Sequence, residues 1–260
     1  MLFRSLVNRE DDPPEGAQGS AVPTDTVEQA MNLGPDKMRR IGSRHAAAFL
    51  AALAAALLLA GAAVADKEQI HLTAAGQAAA RAAVMQRADL GGSGGWTGGS
   101  KKPDLSSGTG CANFKPKQSD LVLIGAAETV FKHPGVEFDS EAQVLETPAM
   151  VRLDWQRTVL APQVMPCLRS NLEKQLTPSE RLVSVRRIPF PALSGYTRAY
   201  RTTVDVKSTS GTTRVFVDLI LIGRSSTEIT LTTTAPLVAE APVRAAELRL
   251  AHILVARAAP

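Results

Sequence analysis

The stretch VFVDLILI, residues 215–222, is apolar at every position but Asp218. It is bounded by Arg214 and Gly223, which makes it short for a helix but long enough for a strand. A run apolar on nearly every residue reads as a strand covered on both faces, and so as an interior strand of a sheet. Its neighbours supply the rest of that sheet. RLVSVRRI (181–188), GYTRAYRTTVDV (195–206) and STEITLTTT (226–234) are rich in Val, Ile, Thr and Tyr, as strands are. Ser210-Gly211 and the residues from Gly223 to Ser226 supply turns, so the four strands form a meander with 215–222 at its centre.

An earlier segment predicts a hairpin. DLVLIGAAETVFK (120–132) leads into His133-Pro134-Gly135, a turn signal, and VEFDSEAQVLE (136–146) follows with strict alternation. Val136, Phe138, Ser140, Ala142 and Val144 share one face. Glu137, Asp139, Glu141 and Gln143 share the other, which is expected to be the wet side of a half-buried strand.

Helices account for much of what remains. LTAAGQAAARAAVMQRADL (72–90) predicts a helix of about fifteen residues capped by Thr73, Ala being the strongest helix former. TPAMVRLDWQRTV (147–159) has Pro148 near its start. In the next helix Val164, Leu168, Leu172 and Leu176 recur at i+4 and Pro178 ends it. In the last, Val243, Ala246, Leu250, Ile253 and Leu254 form one stripe, with Arg244, Glu247 and Arg249 expected outside it. The expected fold class is α+β: an antiparallel sheet of about five or six strands with helices packed mainly on one face, a two-layer sandwich.

Residues 91–110, GGSGGWTGGSKKPDLSSGTG, are too rich in Gly and Ser for a regular element and predict a flexible loop. Trp96 stands out within it, either as a plug on the core or as a contact for a ligand or partner.

The N-terminal third reads differently. Residues 1–37 hold seven acidic against three basic residues and little apolar periodicity, the composition of a disordered extension. Residues 38–65 read as a signal peptide or a signal anchor. Arg39, Arg40 and Arg44 precede an uncharged run from Ala46 to Ala65, and Ala63-Val64-Ala65 has the small-x-small pattern of a cleavage site. Twenty residues can also span a bilayer, so a retained anchor stays open. Met38 directly before Arg39 is a second candidate start. Either way the positive flank keeps the N-terminal side inside and places residues 66–260, the expected α+β domain, outside the cytoplasm. Membrane contact is expected through the apolar run if it is uncleaved.

Outside the cytoplasm an even number of cysteines suggests a bridge, here Cys111 with Cys167. It would contribute roughly 4 kcal/mol in the chain-entropy account. Two separate buried thiols are the alternative. The three histidines of this region, His71, His133 and His252, are far apart, so neither a metal nor another cofactor is expected. The net charge of the chain is +4 and its basic residues are scattered, which argues against a nucleic-acid surface. No G-x-S-x-G elbow is present.

Several features in this order carry a resemblance: an Ala-rich helix, ADLGGSGGW at 88–96, Cys111, SEAQVLETPAMVRLDW at 140–155, Cys167-Leu168, SGYTRAYRTTV at 194–204 and VFVDLILIGRSSTEITLT at 215–232 before a last helix. Residues 70–257 resemble the actinobacterial extracytoplasmic sensor-like domains of PknH-type kinases and LpqN-type lipoproteins, which share an α/β sandwich with PsbP- and Mog1-type proteins. The chain departs from that pattern in having one possible disulfide where the kinase sensors have more, and no lipobox. The resemblance implies a binding or sensing module.

The residues point the same way. Thr197, Ala199, Arg201, Thr203 and Asp205 alternate on one side of a strand. Arg186 and Arg187 end another strand, and if that face is uncovered, Arg201 with one of them could clamp an anionic group. Trp155 is a core anchor or lines a groove. The expected function is therefore an exported, non-enzymatic sensor-like or ligand-binding domain of the bacterial cell envelope, with Trp96, Trp155, Arg186 and Arg201 as candidate ligand contacts. The partner would be an unknown small ligand or an envelope protein. A structural or interaction module without a small ligand is the alternative, and a hydrolase the third.

Overall fold

The computed structural model describes residues 66–91, 95–105, 111 and 113–258. The expectations for residues 1–37 and 38–65 lie outside the described residues. Among the described residues no helix is long and apolar enough to cross a membrane.

The described part opens with a two-residue strand β1 (Gln69–Ile70) and helix α1 (Ala74–Ala83). Strand β2 (Thr97–Lys101) precedes the hairpin β3 (Val122–His133) and β4 (Val136–Leu145). Helix α2 (Pro148–Asp154) runs on as a π turn, Trp155–Val159, and α3 (Val164–Gln175) follows. The meander is β5 (Glu180–Arg187), β6 (Tyr196–Ser208), β7 (Gly211–Arg224) and β8 (Thr227–Pro236), closed by α4 (Glu240–Arg257). Among the described residues all eight strands form one sheet in the order β1-β3-β4-β8-β7-β6-β5, with β2 also paired to β3. Every pairing is antiparallel except β1 with β3. The fold is thus α+β around one large, mostly antiparallel sheet, with more strands than the sequence suggests.

The extra strands have a physical reason. β1 has two residues, too few for a pattern. β2 is TGGSK, built from the stretch expected to be a loop. Gly98 has φ +106°, and a Cβ there would lie 2.1 Å from the Val130 carbonyl oxygen, so the glycine is what lets this strand lie against β3.

Helices cover both faces of the sheet, not mainly one. Alternate residues of β7 point to opposite sides: Phe216, Ile220 and Ile222 pack with Ala80 and Ala83 of α1 and Val243, Leu250 and Leu254 of α4. Leu219 and Leu221 pack with Val151, Trp155 and Val159 and with Val164 and Cys167 of α3. The run 215–222 is accordingly interior, next to the middle strand β8.

Local choices explain where the helices begin and end. Thr73 Oγ1 accepts from the Gly76 amide at 3.0 Å and caps α1. The helix is shorter than expected because the chain after Ala83 is captured by the sheet. The Met85 amide donates to Ser140 Oγ at 3.2 Å, and Thr129 Oγ1 donates to the Met85 carbonyl at 2.9 Å. A 3₁₀ turn, Arg87–Leu90, follows, and its Asp89 carboxylate receives Arg257 of α4 through two bonds of 2.5 and 2.7 Å. Thr147 caps α2. Cys111 and Cys167 are disulfide-bonded, 56 positions apart with Cα atoms at 5.8 Å, which pins α3 to the segment before β3. Such a bond fits an oxidising environment.

The acidic row of β4 is not wet. Asp139, Glu141 and Gln143 are all buried, as is Glu128 opposite Glu141 on β3. Alternation separates two faces of a strand, but it does not say what lies over each.

Candidate functional site

The expected arginine clamp is closed. Arg201 is 4% exposed and Asp218, directly across on β7, is 0% exposed. The guanidinium makes two bonds of 2.6 Å to Asp218, a further bond to Glu240 at the start of α4, and sits 4.3 Å over the Phe216 ring. Thr197, Ala199, Thr203 and Asp205 on the same side are buried as well. The head of α4 covers Arg201 through Glu240, while Arg181 and Arg214 bind Asp205 and the Leu193–Ser194 loop binds Thr197. Arg186 lies opposite Arg201 in register but is exposed on the edge strand.

Glu247 belongs to this buried cluster rather than to the outer side of α4. It is 0% exposed, its Oε2 lies 3.2 Å from Arg244, and its Oε1 is buried without a hydrogen-bond partner. Burial, with the Asp218 charge beside it, pushes its pKa up to about 8. The charges agree with that. Asp218, Glu240 and Glu247 face Arg201 and Arg244, so one proton on Glu247 balances the cluster.

The tryptophans lie on opposite faces. Trp96 is buried against His133 and Phe138, with ring centroids at 5.2 and 5.5 Å, on the face of α1 and α4. Trp155 is buried on the face of α2 and α3, 5.4 Å from the Tyr196 ring. A Cβ at Gly223 would lie 2.7 Å from Trp155 Nε1, so the bare backbone there makes room for the indole. Trp96, Trp155, Arg186 and Arg201 do not converge on one site.

A different set of residues does converge. A cavity of about 40 Å³ lies beneath α3, against β5, β6 and β7. Leu168, Leu172 and Leu176 form its roof, and Tyr200, Val217 and Leu219 its floor. The walls are apolar, with polar groups at a few points. Gln175 Oε1 is buried there without a hydrogen-bond partner. Tyr200 is held in place by its hydroxyl, which donates to the Val159 carbonyl at 3.1 Å. The leucine stripe of α3 was legible as an apolar face. The gap between it and the sheet was not.

Beside the cavity the same face turns polar. Leu219 is in register with Thr232 of β8, and Thr232 with Asp139 of β4. One step along, Leu221, Thr230, Glu141 and Glu128 form the next row. Asp139 Oδ1, Thr230 Oγ1 and Thr232 Oγ1 are buried without hydrogen-bond partners. Lys101 of β2 reaches Glu128 at 2.8 Å. Burial raises Asp139 well above the usual carboxylate range, with the Glu128 charge adding to it. Glu128 is also raised by burial, and Lys101 works against that shift. Glu228, in the row beyond, is raised by burial and by Asp154, which accepts from Gln118 Nε2 at 3.0 Å. Among the described residues no group of three His, Cys, Asp or Glu side chains could hold a metal ion.

Comparison with protein families and with characterised proteins finds no match to this chain.

Proposed function

We propose that the chain is an exported, non-enzymatic sensor-like domain of the bacterial cell envelope that binds a small ligand with a slender apolar part in the cavity beneath α3. The observation that carries this reading is the cavity itself, apolar walls with one unpartnered acceptor, Gln175 Oε1, buried among them. Ligand sites are concave, mostly apolar and furnished with few polar groups. About 40 Å³ suits a short alkyl segment rather than a ring system, a cavity of about 150 Å³ being what holds a benzene.

Export is part of the proposal. It rests on the charged and apolar pattern of residues 39–65, either cleaved after Ala65 or retained as an anchor, and the disulfide is in keeping with it. The resemblance to extracytoplasmic sensor-like domains supports the same reading.

The test is a ligand screen by thermal shift on the oxidised protein and on Leu172→Trp, in which the indole fills the cavity. Compounds that raise the melting temperature of the parent and not of the variant support the proposal. Hits that stabilise both equally, or no hits with alkyl-bearing compounds, would defeat it.

A further inference from the structure

We propose that the ligand of the cavity beneath α3 is a short-chain primary alcohol, with its alkyl chain in the apolar end and its hydroxyl donating to Gln175 Oε1. This deepens the cavity reading and rests on it.

The lining divides into two ends. Leu168, Leu172, Tyr200 and Leu219 are buried, and the Tyr200 hydroxyl is taken up by the Val159 carbonyl, so this end offers hydrocarbon and ring surface. Gln175 is the last residue of α3 and Glu180 the first of β5. With Leu176 between them they line the cavity and are half-buried. The polar end of the cavity is therefore nearer solvent than the apolar end. An alkyl chain that fills the buried end leaves its head group at the end that holds Gln175.

The chemistry selects the head group. Gln175 Oε1 is buried in the lining without a hydrogen-bond partner, a state in which folded proteins leave few polar atoms. It is an acceptor, so what satisfies it is a donor. Glu180 is engaged locally, its Oε2 accepting from the Thr177 amide at 2.8 Å and from the Thr177 hydroxyl at 2.9 Å. The single O–H of an alcohol matches an acceptor of this kind, whereas a primary ammonium would bring three donors to it. A carboxylate would bring no donor. It would also meet the charge of Glu180 in a lining whose described residues include no Lys, Arg or His.

The test is titration of the full oxidised chain with n-hexanol, its isomer 1-methoxypentane, n-hexylammonium and n-hexanoate, with dissociation constants read from methyl NMR shifts. Methoxypentane has the same atoms as hexanol and no donor. Hexanol is expected to bind about tenfold tighter than methoxypentane, the scale of one hydrogen bond to a buried acceptor, and tighter than either ion. In Gln175→Met, close in shape but without the amide acceptor, hexanol and methoxypentane are expected to bind alike. A melting temperature near the parent's verifies the fold of that variant, and the comparison of the two isomers in the parent stands without it. Methoxypentane binding as tightly as hexanol, either ion binding tighter than hexanol, or a preference for hexanol unchanged in Gln175→Met would overturn the head-group inference. The cavity reading would still stand if Leu172→Trp abolished the binding. Hexanol binding undiminished in Leu172→Trp, or no binding by any of the four, defeats both.

Discussion

Arg201 and Asp218 face each other across β6 and β7 and join through two bonds of 2.6 Å, with both side chains withdrawn from solvent beneath α4. Arg201 is held protonated by Asp218 first and by Glu240 second, against the pull of burial. A buried pair is costly to break from one side, because the abandoned partner keeps its desolvation penalty. Arg201→Met should therefore destabilise the protein by about 3–5 kcal/mol in urea unfolding. Arg201→Met with Asp218→Leu should recover most of that loss. A double variant no more stable than the single would contradict the account.

Glu247 gives the fold a pH dependence. Its folded pKa, about 8, lies above a glutamate's ordinary value of 4.5, so the folded state holds a proton that the unfolded chain releases. Between those values the unfolded state binds fewer protons, and stability falls as pH rises. The contribution is intact below about pH 4.5 and is lost through pH 8, with a slope of at most roughly 1.4 kcal/mol per pH unit. Urea unfolding at pH 5, 6.5 and 8 should show this decline in the parent. In Glu247→Gln, which cannot ionise, the decline should be shallower. Parallel profiles would count against a protonated Glu247.

The disulfide should carry a measurable share of stability. Replacing Cys111 and Cys167 together by Ser should cost roughly 2–5 kcal/mol, read from the urea midpoint at constant slope. Intact-mass analysis of alkylated, unreduced protein from the envelope fraction should find neither thiol modified. Two alkylated cysteines in that fraction would contradict both the bond and the compartment.

Where α1 crosses the sheet, two backbones touch. A Cβ at Gly125 would lie 2.1 Å from the Gly76 carbonyl oxygen, and one at Gly76 would lie 2.2 Å from the Ile124 carbonyl oxygen. Neither obstacle is a flexible side chain. Gly125→Ala should cost about 1–3 kcal/mol, the range of an overpacked core, whereas Gly195→Ala, with open space around it, should stay within about 0.5 kcal/mol.

Particular residues show what could be read in the sequence. The interior position of residues 215–222 was legible because a run apolar at every position but Asp218 has no wet side. Thr73 was legible as a cap because its chemistry is local, and Cys111 and Cys167 pair as their even number suggests. Coverage was not legible. The alternation of Glu137, Asp139 and Glu141 fixes two faces but not the helices that lie over them, so a buried row passed for a wet one. Arg201 passed for a surface charge because its partners are distant in sequence: Asp218 lies on the next strand and Glu240 at the head of α4. Glu247 passed for one because no local pattern shows that it is buried beside Asp218. Met85, hydrogen-bonded to Ser140 and Thr129, shortens α1 through contacts that no local pattern announces. β2 stayed hidden because glycine has no strand propensity, and close approach to β3 is what calls for it.

The most direct measurement is a methyl NMR titration of the oxidised protein with n-hexanol. The account predicts saturable shifts at Leu168, Leu172, Val217 and Leu219 around the cavity. Methyls on the opposite face, such as Ile220 and Val243, should stay still. Shifts scattered over both faces without saturation, or none at the cavity methyls, would contradict it.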